Sequence, residues 1–407
     1  MTARRVPRWS EVKPLLRPRR TPLNSTDRRL AGAASIADLR VLARRRAPRA
    51  VFDYTDGAAG DELALRRSRQ AYERLEFSPH VLQDVSSVDT STAILGRPAA
   101  APFGFAPAGF TRMMHTDGES AVGRVAERIG IPIALSTMGT TSIERLAIEA
   151  SGARRWFQLY LWRDRAASSD LVARAQAAGY EALVLTVDTP VPGNRLRDVR
   201  NGLTLPPSLS VKTFAEGALH ARWWFDLMTT EPLEFASLNR FDGTVADLAA
   251  QVFDPALTMR DLAWLRETWT GPLVVKGIMG VGDARAVVDA GADALVVSNH
   301  GGRQLDRAPT PLEQLPAVVD AVGDRAEVYV DGGILSGGDV VAAIASGARA
   351  ALVGRAYLYG LMAGGERGVA KAAEILAKEI AGTLALLGVT RVADLRPEHV
   401  LLRPDVD

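Results

Sequence analysis

Eight short apolar runs, separated by stretches with helical periodicity, constrain the fold of this 407-residue chain more than any other feature. Short apolar runs that alternate with helices are typical of parallel strands joined by helical crossovers. Glycines that would end the preceding helices stand before several runs, at Gly179, Gly291 and Gly347. The pattern therefore predicts an α/β fold, a (β/α)8 TIM barrel. The predicted strands span residues 103–106, 133–135, 156–159, 182–187, 273–275, 294–297, 328–330 and 350–353.

Three regions lie outside this repeating pattern. Residues 1–30 are rich in arginine and proline and lack periodicity, which predicts a basic N-terminal arm. Helical patterns precede the first strand, over residues 36–46, 50–54 and 61–74. The interval 190–257 is too long for a loop between a strand and a helix, so we predict an excursion after the fourth strand. We expect one domain over residues 31–402, with the barrel at about 95–385.

The composition excludes several classes of function. A net charge of +2 gives no reason to expect a nucleic-acid partner. The chain has no cysteine, which excludes disulfides, thiolate catalysis and cysteine-ligated metals, and no histidine pair has metal-ligand spacing. No apolar stretch approaches the roughly 18 residues of a spanning helix. We therefore expect a cytoplasmic protein without a metal, and contact with a membrane surface stays open.

Every predicted strand ends in polar residues or glycine, at the face where barrels carry their active sites. Because the strands are parallel, these residues should meet at one mouth. In strand order they are Pro107-Ala108-Gly109, Ser136-Thr137, Gln158 with Tyr160, Thr186 with Asp188, Lys276-Gly277, Ser298-Asn299-His300, Asp331-Gly332-Gly333 and Gly354-Arg355.

The segment after the sixth strand carries the most specific chemistry. His300 could act as a base, and Arg303 could hold a carboxylate through two parallel hydrogen bonds. The two glycines between them would let the backbone pass close to a flat ligand. Asp188 would stabilise a protonated His300, or would only cap a turn. Lys276 would stabilise charge on a reduced cofactor or, in another class of enzyme, form a Schiff base.

The loops after the seventh and eighth strands are rich in glycine, over residues 331–338 and at Gly354-Arg355. Barrels commonly hold a phosphate at this position, on backbone amides and a helix start. Arg355 could add a charge-assisted hydrogen bond to that phosphate. The alternative is that these glycines only make tight turns.

These motifs together resemble those of the FMN-dependent L-2-hydroxy acid dehydrogenases and oxidases, over about residues 30–402. The resemblance is most specific at residues 298–306. It extends to residues 52–58, 158–160, 185–190, 275–277 and 331–333. Within that family the chain is most similar to actinobacterial respiratory L-lactate dehydrogenases, by Trp223-Trp224-Phe225-Asp226, Asn201-Gly202 and residues 253–255. The resemblance implies FMN as cofactor, oxidation of L-lactate to pyruvate, and a homotetramer.

The resemblance also implies a role for each site residue. His300 would be the base at the substrate α-carbon, and Asp188 would stabilise its protonated form. The substrate would be bound by Tyr54, Tyr160, Arg195 and Arg303. FMN would be held by Ala106, Pro107, Ala108, Ser136, Gln158, Thr186, Lys276, Ser298, Asp331, Gly332, Gly333, Gly354 and Arg355.

Three positions depart from common family versions. Met138 stands where many members have tryptophan, which leaves the side-chain preference of the substrate pocket open. Leu335 stands where many have arginine, so one phosphate contact would be missing or would come from elsewhere, for example from Arg355. Gly109 stands where oxidases more often have alanine, which favours a dehydrogenase.

Several alternatives stay open at the level of sequence. Without a fused haem domain, electrons would pass to a quinone or another separate acceptor, and the basic arm and the aromatic residues of the excursion could bring the protein to anionic lipid. The aromatic residues would equally suit packing against the barrel. The competing functions are an oxidase that releases hydrogen peroxide, a mandelate-type dehydrogenase, a silent flavin-binding protein and a non-redox phosphate-binding lyase or isomerase.

Overall fold

The centre of the molecule is a closed barrel of eight parallel strands. The computed structural model describes residues 5–14, 24–202, 220–238 and 253–403. The strands are β1 (Leu75–Phe77), β2 (Thr92–Ile94), β3 (Arg97–Ala99), β4 (Phe103–Phe105), β5 (Pro132–Ser136), β6 (Arg154–Leu159), β7 (Ala182–Thr186), β8 (Leu273–Ile278), β9 (Ala294–Val297), β10 (Glu327–Asp331), β11 (Ala350–Val353) and β12 (Val400–Leu402). Strands β4 to β11 pair in chain order, and β11 returns to β4. The predicted (β/α)8 barrel is thus confirmed.

Helices surround the barrel and precede it. They are α1 (Trp9–Val12), α2 (Ser25–Leu30), α3 (Ile36–Arg46), α4 (Arg49–Asp56), α5 (Leu63–Glu73), α6 (Thr111–Met114), α7 (Gly118–Ile129), α8 (Ile143–Glu149), α9 (Arg165–Ala177), α10 (Leu196–Asn201), α11 (Ala221–Met228), α12 (Met259–Thr268), α13 (Val281–Asp289), α14 (Pro311–Val322), α15 (Gly337–Ala345) and α16 (Arg355–Leu387). Helix α16 is broken at Gly364-Gly365, where the backbone leaves the helical conformation.

The floor of the barrel is filled by side chains, which leaves only its mouth for a ligand. Trp156 and Tyr329 stack inside it with ring centroids 5.9 Å apart. The hairpin of β2 and β3 packs Ile94, which is fully buried, against this inner cluster. The carboxylate of Glu327 accepts the amide of Leu95 at the hairpin turn over 3.0 Å. A packed floor is usual for this fold, whose active sites lie at the opposite end.

The helices ahead of the barrel bring one more wall to its mouth. Helix α3 starts at a capping box between Ser35 and Asp38 and buries Ile36, Leu39 and Ala43. Helices α3, α4 and α5 occupy the three segments in which the sequence shows a helical pattern. Tyr54 on α4 lines the cavity at the mouth.

The excursion after β7 is described in part. Residues 203–219 and 239–252 lie outside the described residues, as do residues 1–4 and 15–23 of the predicted basic arm. In the described part, Trp223 on α11 donates its indole N–H to the carbonyl of Met113 over 2.9 Å, so this tryptophan packs against the barrel. Phe225 and Met228 on the same helix are about two-thirds exposed, at 67% and 70%. The domain boundaries drawn from the sequence stay a prediction.

Candidate active site

One cavity of about 230 Å³ opens at the carboxyl ends of the barrel strands. It gathers sixteen of the nineteen site residues expected from the sequence. They are Tyr54, Ala106, Pro107, Ala108, Ser136, Tyr160, Thr186, Arg195, Lys276, His300, Arg303, Asp331, Gly332, Gly333, Gly354 and Arg355. The other three, Gln158, Asp188 and Ser298, lie directly behind this wall and hydrogen-bond to residues in it.

His300 and Asp188 form a hydrogen-bonded pair at the mouth. The ring Nδ1 of His300 lies 3.0 Å from Oδ1 of Asp188. Burial alone would raise the pKa of Asp188, but the charge and hydrogen bond of His300 and the charge of Lys276 outweigh it and lower that pKa. An ionised Asp188 fixes the ring tautomer with the proton on Nδ1, which leaves Nε2 as the proton acceptor.

The loop that carries His300 is tightly constrained. His300 has a φ of +57°, in the left-handed region that non-glycine residues rarely adopt. Its backbone N–H donates to Oγ of Ser298 over 3.0 Å. A Cβ at Gly301 would lie 2.7 Å from Arg355 Nη1, and one at Gly302 would lie 2.7 Å from the backbone nitrogen of Leu65. These glycines therefore make room for other parts of the protein, and the expectation that the backbone passes close to a flat ligand here stays a prediction.

The arginines give the mouth a positive charge. Nη1 of Arg303 donates to the carbonyl oxygens of Tyr54 and Gly57, and its guanidinium lies 4.8 Å from the centre of the Tyr54 ring. Burial, together with the charges of Arg195 and Arg355, lowers the pKa of Arg303 to about 10. Among the described residues no carboxylate forms an ion pair with Arg303, so an anion in the cavity would supply the missing charge.

Arg195 and Tyr160 complete this end of the cavity. Nε of Arg195 donates to Asp198 over 3.0 Å, and burial raises the pKa of that carboxyl group. Burial, with the nearby Asp188 and Tyr54, raises the pKa of Tyr160, which therefore stays a neutral hydrogen-bond donor. Phe253 lines the same cavity and packs on Tyr160, with ring centroids 6.3 Å apart. The sequence offered no signal for this contact beyond the aromatic character of Phe253.

A ladder of polar side chains runs along the next strands. Ser136 donates its hydroxyl to Oε1 of Gln158 over 3.0 Å, and Nε2 of Gln158 donates to Oγ1 of Thr186 over 3.0 Å. All three residues are buried. Ser136 and Thr186 line one edge of the cavity, with Gln158 behind them, and their polar groups suit the edge of a planar heterocycle.

Lys276 is the one buried lysine of the mouth in the described structure. Its Nζ lies 3.0 Å from Oδ2 of Asp331 and donates to Oγ of Ser298 over 2.9 Å. Burial disfavours the charged form, but the charges of Asp331 and Asp188 outweigh it and raise the pKa of Lys276. Lys276 is therefore a fixed cation, whereas a Schiff-base lysine needs a lowered pKa. This contact argues against the lyase alternative.

Of the two glycine-rich loops, the one after β11 leaves space at Gly354, where a phosphate is expected, whereas a Cβ at Gly333 in the loop after β10 would lie 2.5 Å from the carbonyl oxygen of Ser68. A Cβ at Gly354 would meet nothing closer than Ala106, at 3.9 Å, and Arg355 begins helix α16, whose first amides have no acceptor within the helix. The guanidinium of Arg355 donates to the carbonyls of Thr55, Gly57 and Gly301 over 2.9, 2.7 and 2.9 Å. A phosphate bond from that side chain stays a prediction, since backbone acceptors already occupy it.

Arg69 is a cation at this end that sequence reasoning missed. It lines the cavity beside Gly333 and Leu335, donates to the Gly333 carbonyl over 2.7 Å, and binds both carboxylate oxygens of Asp339 at 2.5 and 2.9 Å. Asp339 in turn accepts the amide of Leu335 over 2.8 Å. In the sequence, Arg69 is one of several arginines on a helix and carries no distinguishing signal.

Four features of the cavity suit FMN. Oδ1 of Asp331 is buried and has no hydrogen-bond partner among the described residues. Because buried polar atoms are normally hydrogen-bonded, this oxygen can accept a hydrogen bond from a ligand hydroxyl. The polar ladder suits a flavin edge, Lys276 suits negative charge on the reduced ring, and the empty space at Gly354 suits a phosphate.

Comparison with known proteins agrees with this geometry. Residues 43–402 match the family described as FMN-dependent dehydrogenase, and the chain belongs to that family, whose cofactor is FMN. A Mycobacterium tuberculosis protein named "Putative L-lactate dehydrogenase" is 55% identical over 98% of this chain and 96% of its own length. The L-lactate oxidase of Nostoc sp. is 42% identical over 87% of this chain and 94% of its own length.

A solved structure shows the same architecture. The crystal structure of the monotopic membrane protein (S)-mandelate dehydrogenase superposes with a TM-score of 0.88 at 36% identity, and covers 91% of this chain and 100% of its own. The names of these relatives differ in the substrate, lactate or mandelate, and in the activity, dehydrogenase or oxidase.

Proposed function

We propose that this protein oxidises L-2-hydroxy acids in an FMN-dependent reaction, with L-lactate as substrate and pyruvate as product. The observation that carries the proposal is the convergence of the His300–Asp188 pair at one mouth with Arg303, an arginine that forms no ion pair with an acidic residue in the described parts of the chain. The Mycobacterium tuberculosis relative supports lactate as the substrate.

The residues of the mouth have separate tasks in this reaction. FMN supplies the two-electron redox chemistry when bound. Arg303 and Arg195 bind the substrate carboxylate, and Tyr54 and Tyr160 hydrogen-bond to it and to the hydroxyl group. His300 accepts a proton from the substrate at Nε2, and Asp188 stabilises the resulting imidazolium through Nδ1. Lys276 would place a fixed positive charge beside bound FMN, which would favour its reduction.

Flavin bleaching tests the proposal directly. The purified holoenzyme is mixed anaerobically with glycolate, L-lactate, L-2-hydroxybutyrate, L-mandelate or D-lactate, and flavin absorbance is followed. We expect L-lactate to bleach the flavin fastest and D-lactate to leave it oxidised. A protein that binds FMN but stays yellow with every L-acid would contradict the proposal.

An oxidase is the second candidate, because a lactate oxidase is among the relatives. Gly109 argues for the dehydrogenase: a Cβ there would lie 3.0 Å from Cβ and 3.1 Å from the carbonyl oxygen of Met138, so the alanine more often found in oxidases would crowd Met138. Admitting air after anaerobic reduction separates the two functions. Slow reoxidation with little hydrogen peroxide is expected, and rapid stoichiometric peroxide release would favour the oxidase.

The electron acceptor that we propose is a membrane quinone, reached by peripheral binding on the inner face of the cell membrane. Support comes from the exposed Phe225 and Met228 on α11, from the basic N-terminal sequence, and from the monotopic mandelate dehydrogenase as structural neighbour. No helix in the described parts of the chain is long and apolar enough to cross a bilayer. Co-flotation with anionic but not neutral liposomes is expected, and absence of binding at low salt would reject this location.

The homotetramer also belongs to this proposal and rests on the family resemblance. Light scattering of the holoenzyme would measure the mass directly. A mass near four times 43.6 kDa is expected, and a monomeric mass would reject it.

A further inference from the structure

The last turn of helix α4 holds two arginines at the mouth. The carbonyl oxygens of Tyr54 and Gly57 accept hydrogen bonds from Arg303, the latter over 3.3 Å. The carbonyl oxygens of Thr55 and Gly57 accept hydrogen bonds from Arg355 over 2.9 and 2.7 Å. Carbonyls at a helix C-terminus lack partners within the helix and carry partial negative charge. The orientation of Arg303 therefore depends on where this turn lies.

Asp56 fixes that turn from the side away from the cavity. Its carboxylate accepts Nε and Nη2 of Arg40 over 2.5 and 2.9 Å, Nη1 of Arg197 over 3.0 Å and the hydroxyl of Tyr359 over 2.8 Å. Only 5% of the side chain is exposed. Burial would raise the pKa of Asp56, but the hydrogen bonds from Arg40 and Tyr359 lower it to about 2, so it is a carboxylate at neutral pH.

Arg197 extends the network to the second substrate arginine. It lies on helix α10, two residues after Arg195, and also binds Glu62 over 2.5 Å. Asn201, at the end of the same helix, donates to Asp53 over 2.8 Å. Helix α10 is thereby tied to helix α4, and the separation between Arg195 and Arg303 is set by contacts that do not reach the cavity.

We propose that Asp56 is a positioning residue for the substrate carboxylate. It holds the last turn of α4 and the start of α10 in one frame, and so aligns Arg303 with Arg195. Asp56, Arg40, Arg197 and Tyr359 do not line the cavity, so none of them binds the acid itself. The inference rests on the proposed function, because it assigns the two arginines to the substrate carboxylate.

The variant Asp56→Asn keeps the shape of the side chain and removes its charge. We expect the KM for L-lactate and the Kd for pyruvate to rise about tenfold to a hundredfold, because misplacing a binding group by about 1 Å costs that much. We expect the Kd for FMN to rise less than the Kd for pyruvate, because the turn holds Arg355, which is one of several residues expected to bind FMN. Asp56→Glu should recover part of the affinity for pyruvate.

Glu181→Gln is the matched control. Glu181 is also a buried carboxylate bound by two arginines, Arg154 and Arg97, but it lies at the start of β7, at the other end of the barrel. Its loss should lower stability and leave the KM for L-lactate unchanged.

Three outcomes would overturn the proposal. They are an unchanged pyruvate Kd in folded Asp56→Asn, an equal loss of FMN and pyruvate affinity, and the same rise in KM in Glu181→Gln. If Asp56→Asn does not fold, Arg197→Met decides, because it cuts the links from α10 to Asp56 and Glu62 and leaves Arg40 and Tyr359 on Asp56. A wild-type holoenzyme that does not oxidise any L-2-hydroxy acid would instead overturn the proposed function, a separate result from unchanged binding in an active enzyme.

Discussion

Each chemical group at the mouth has a partner behind it that sets its charge or its direction. Asp188 stands behind His300, Asp331 beside Lys276, and the carbonyls of Tyr54 and Gly57 behind Arg303. In each case one side of the group is bound to protein and the other faces the cavity. This arrangement preorganises the reacting groups, so that little reorganisation is needed when the acid binds.

Replacing His300 by glutamine tests the base. The variant should remain yellow and bind pyruvate, while flavin reduction by L-lactate slows about 10²–10⁴-fold, the usual contribution of a general base. Stopped-flow absorbance under anaerobic conditions measures this rate. His80→Gln, at an exposed position, is the control. Flavin reduction at the wild-type rate in His300→Gln would show that another group takes the proton.

Replacing Arg303 by lysine tests the carboxylate site. One ammonium cannot both reach the carbonyls of α4 and present a planar fork to the substrate, so KM should rise and kcat should fall, with kcat/KM reduced at least about tenfold. Steady-state kinetics with an artificial acceptor measure both constants. Arg307→Lys, at an exposed position four residues along the chain, should behave as wild type. Unchanged constants in Arg303→Lys would place the carboxylate elsewhere.

At the level of helices and strands, the periodicity of the sequence located the elements well. Contacts from side chains to backbone carbonyls could not be predicted from it. The apolar run at residues 294–297 is strand β9 without a shift, and parallel strands bring their polar ends together by geometry alone. Arg355 binds three backbone carbonyls, which carry no mark in a sequence. Arg69 binds Gly333, which is 264 residues away along the chain, so no local pattern could link them.

The contact between α5 and the loop after β10 leads to a prediction about the phosphate. Arg69→Gln should weaken FMN binding about tenfold more than riboflavin binding, because a charge-assisted bond to phosphate is worth about 1.5–3 kcal/mol. Fluorescence titration of the apoprotein with both flavins gives the ratio. Arg67→Gln, on the exposed face of α5, serves as control. Equal losses for the two flavins would mean that Arg69 only holds the loop.

At the scale of the whole molecule, the helices ahead of the barrel and the barrel itself are joined by buried charges at the mouth. Asp56 is the centre of that junction, and Arg197 on α10 and Tyr359 on α16 reach it from 141 and 303 residues further along the chain. We therefore expect Asp56 to contribute both to the stability of the fold and to substrate binding.

The free energy of unfolding at acid pH should depend on the ionisation of Asp56 at this junction. The pKa of Asp56 lies at about 2 in the folded protein and at its ordinary 3.8 in the unfolded chain, so its ionisation stabilises the fold above pH 3.8. That stabilisation is lost as the pH falls from 3.8 through about 2. Urea unfolding of wild type and Asp56→Asn across this range should show a difference in free energy that shrinks toward low pH. A difference that does not depend on pH would contradict the assignment.

The distance along the chain between the two halves of the mouth has a consequence for biosynthesis. The carbonyl of Thr55 accepts a hydrogen bond from the guanidinium of Arg355, which is 300 residues further along the chain. A ribosome therefore finishes the first half long before it makes the second. Any nascent or prematurely stopped polypeptide that ends before Arg355 lacks a complete anion pocket, however well its earlier helices have formed.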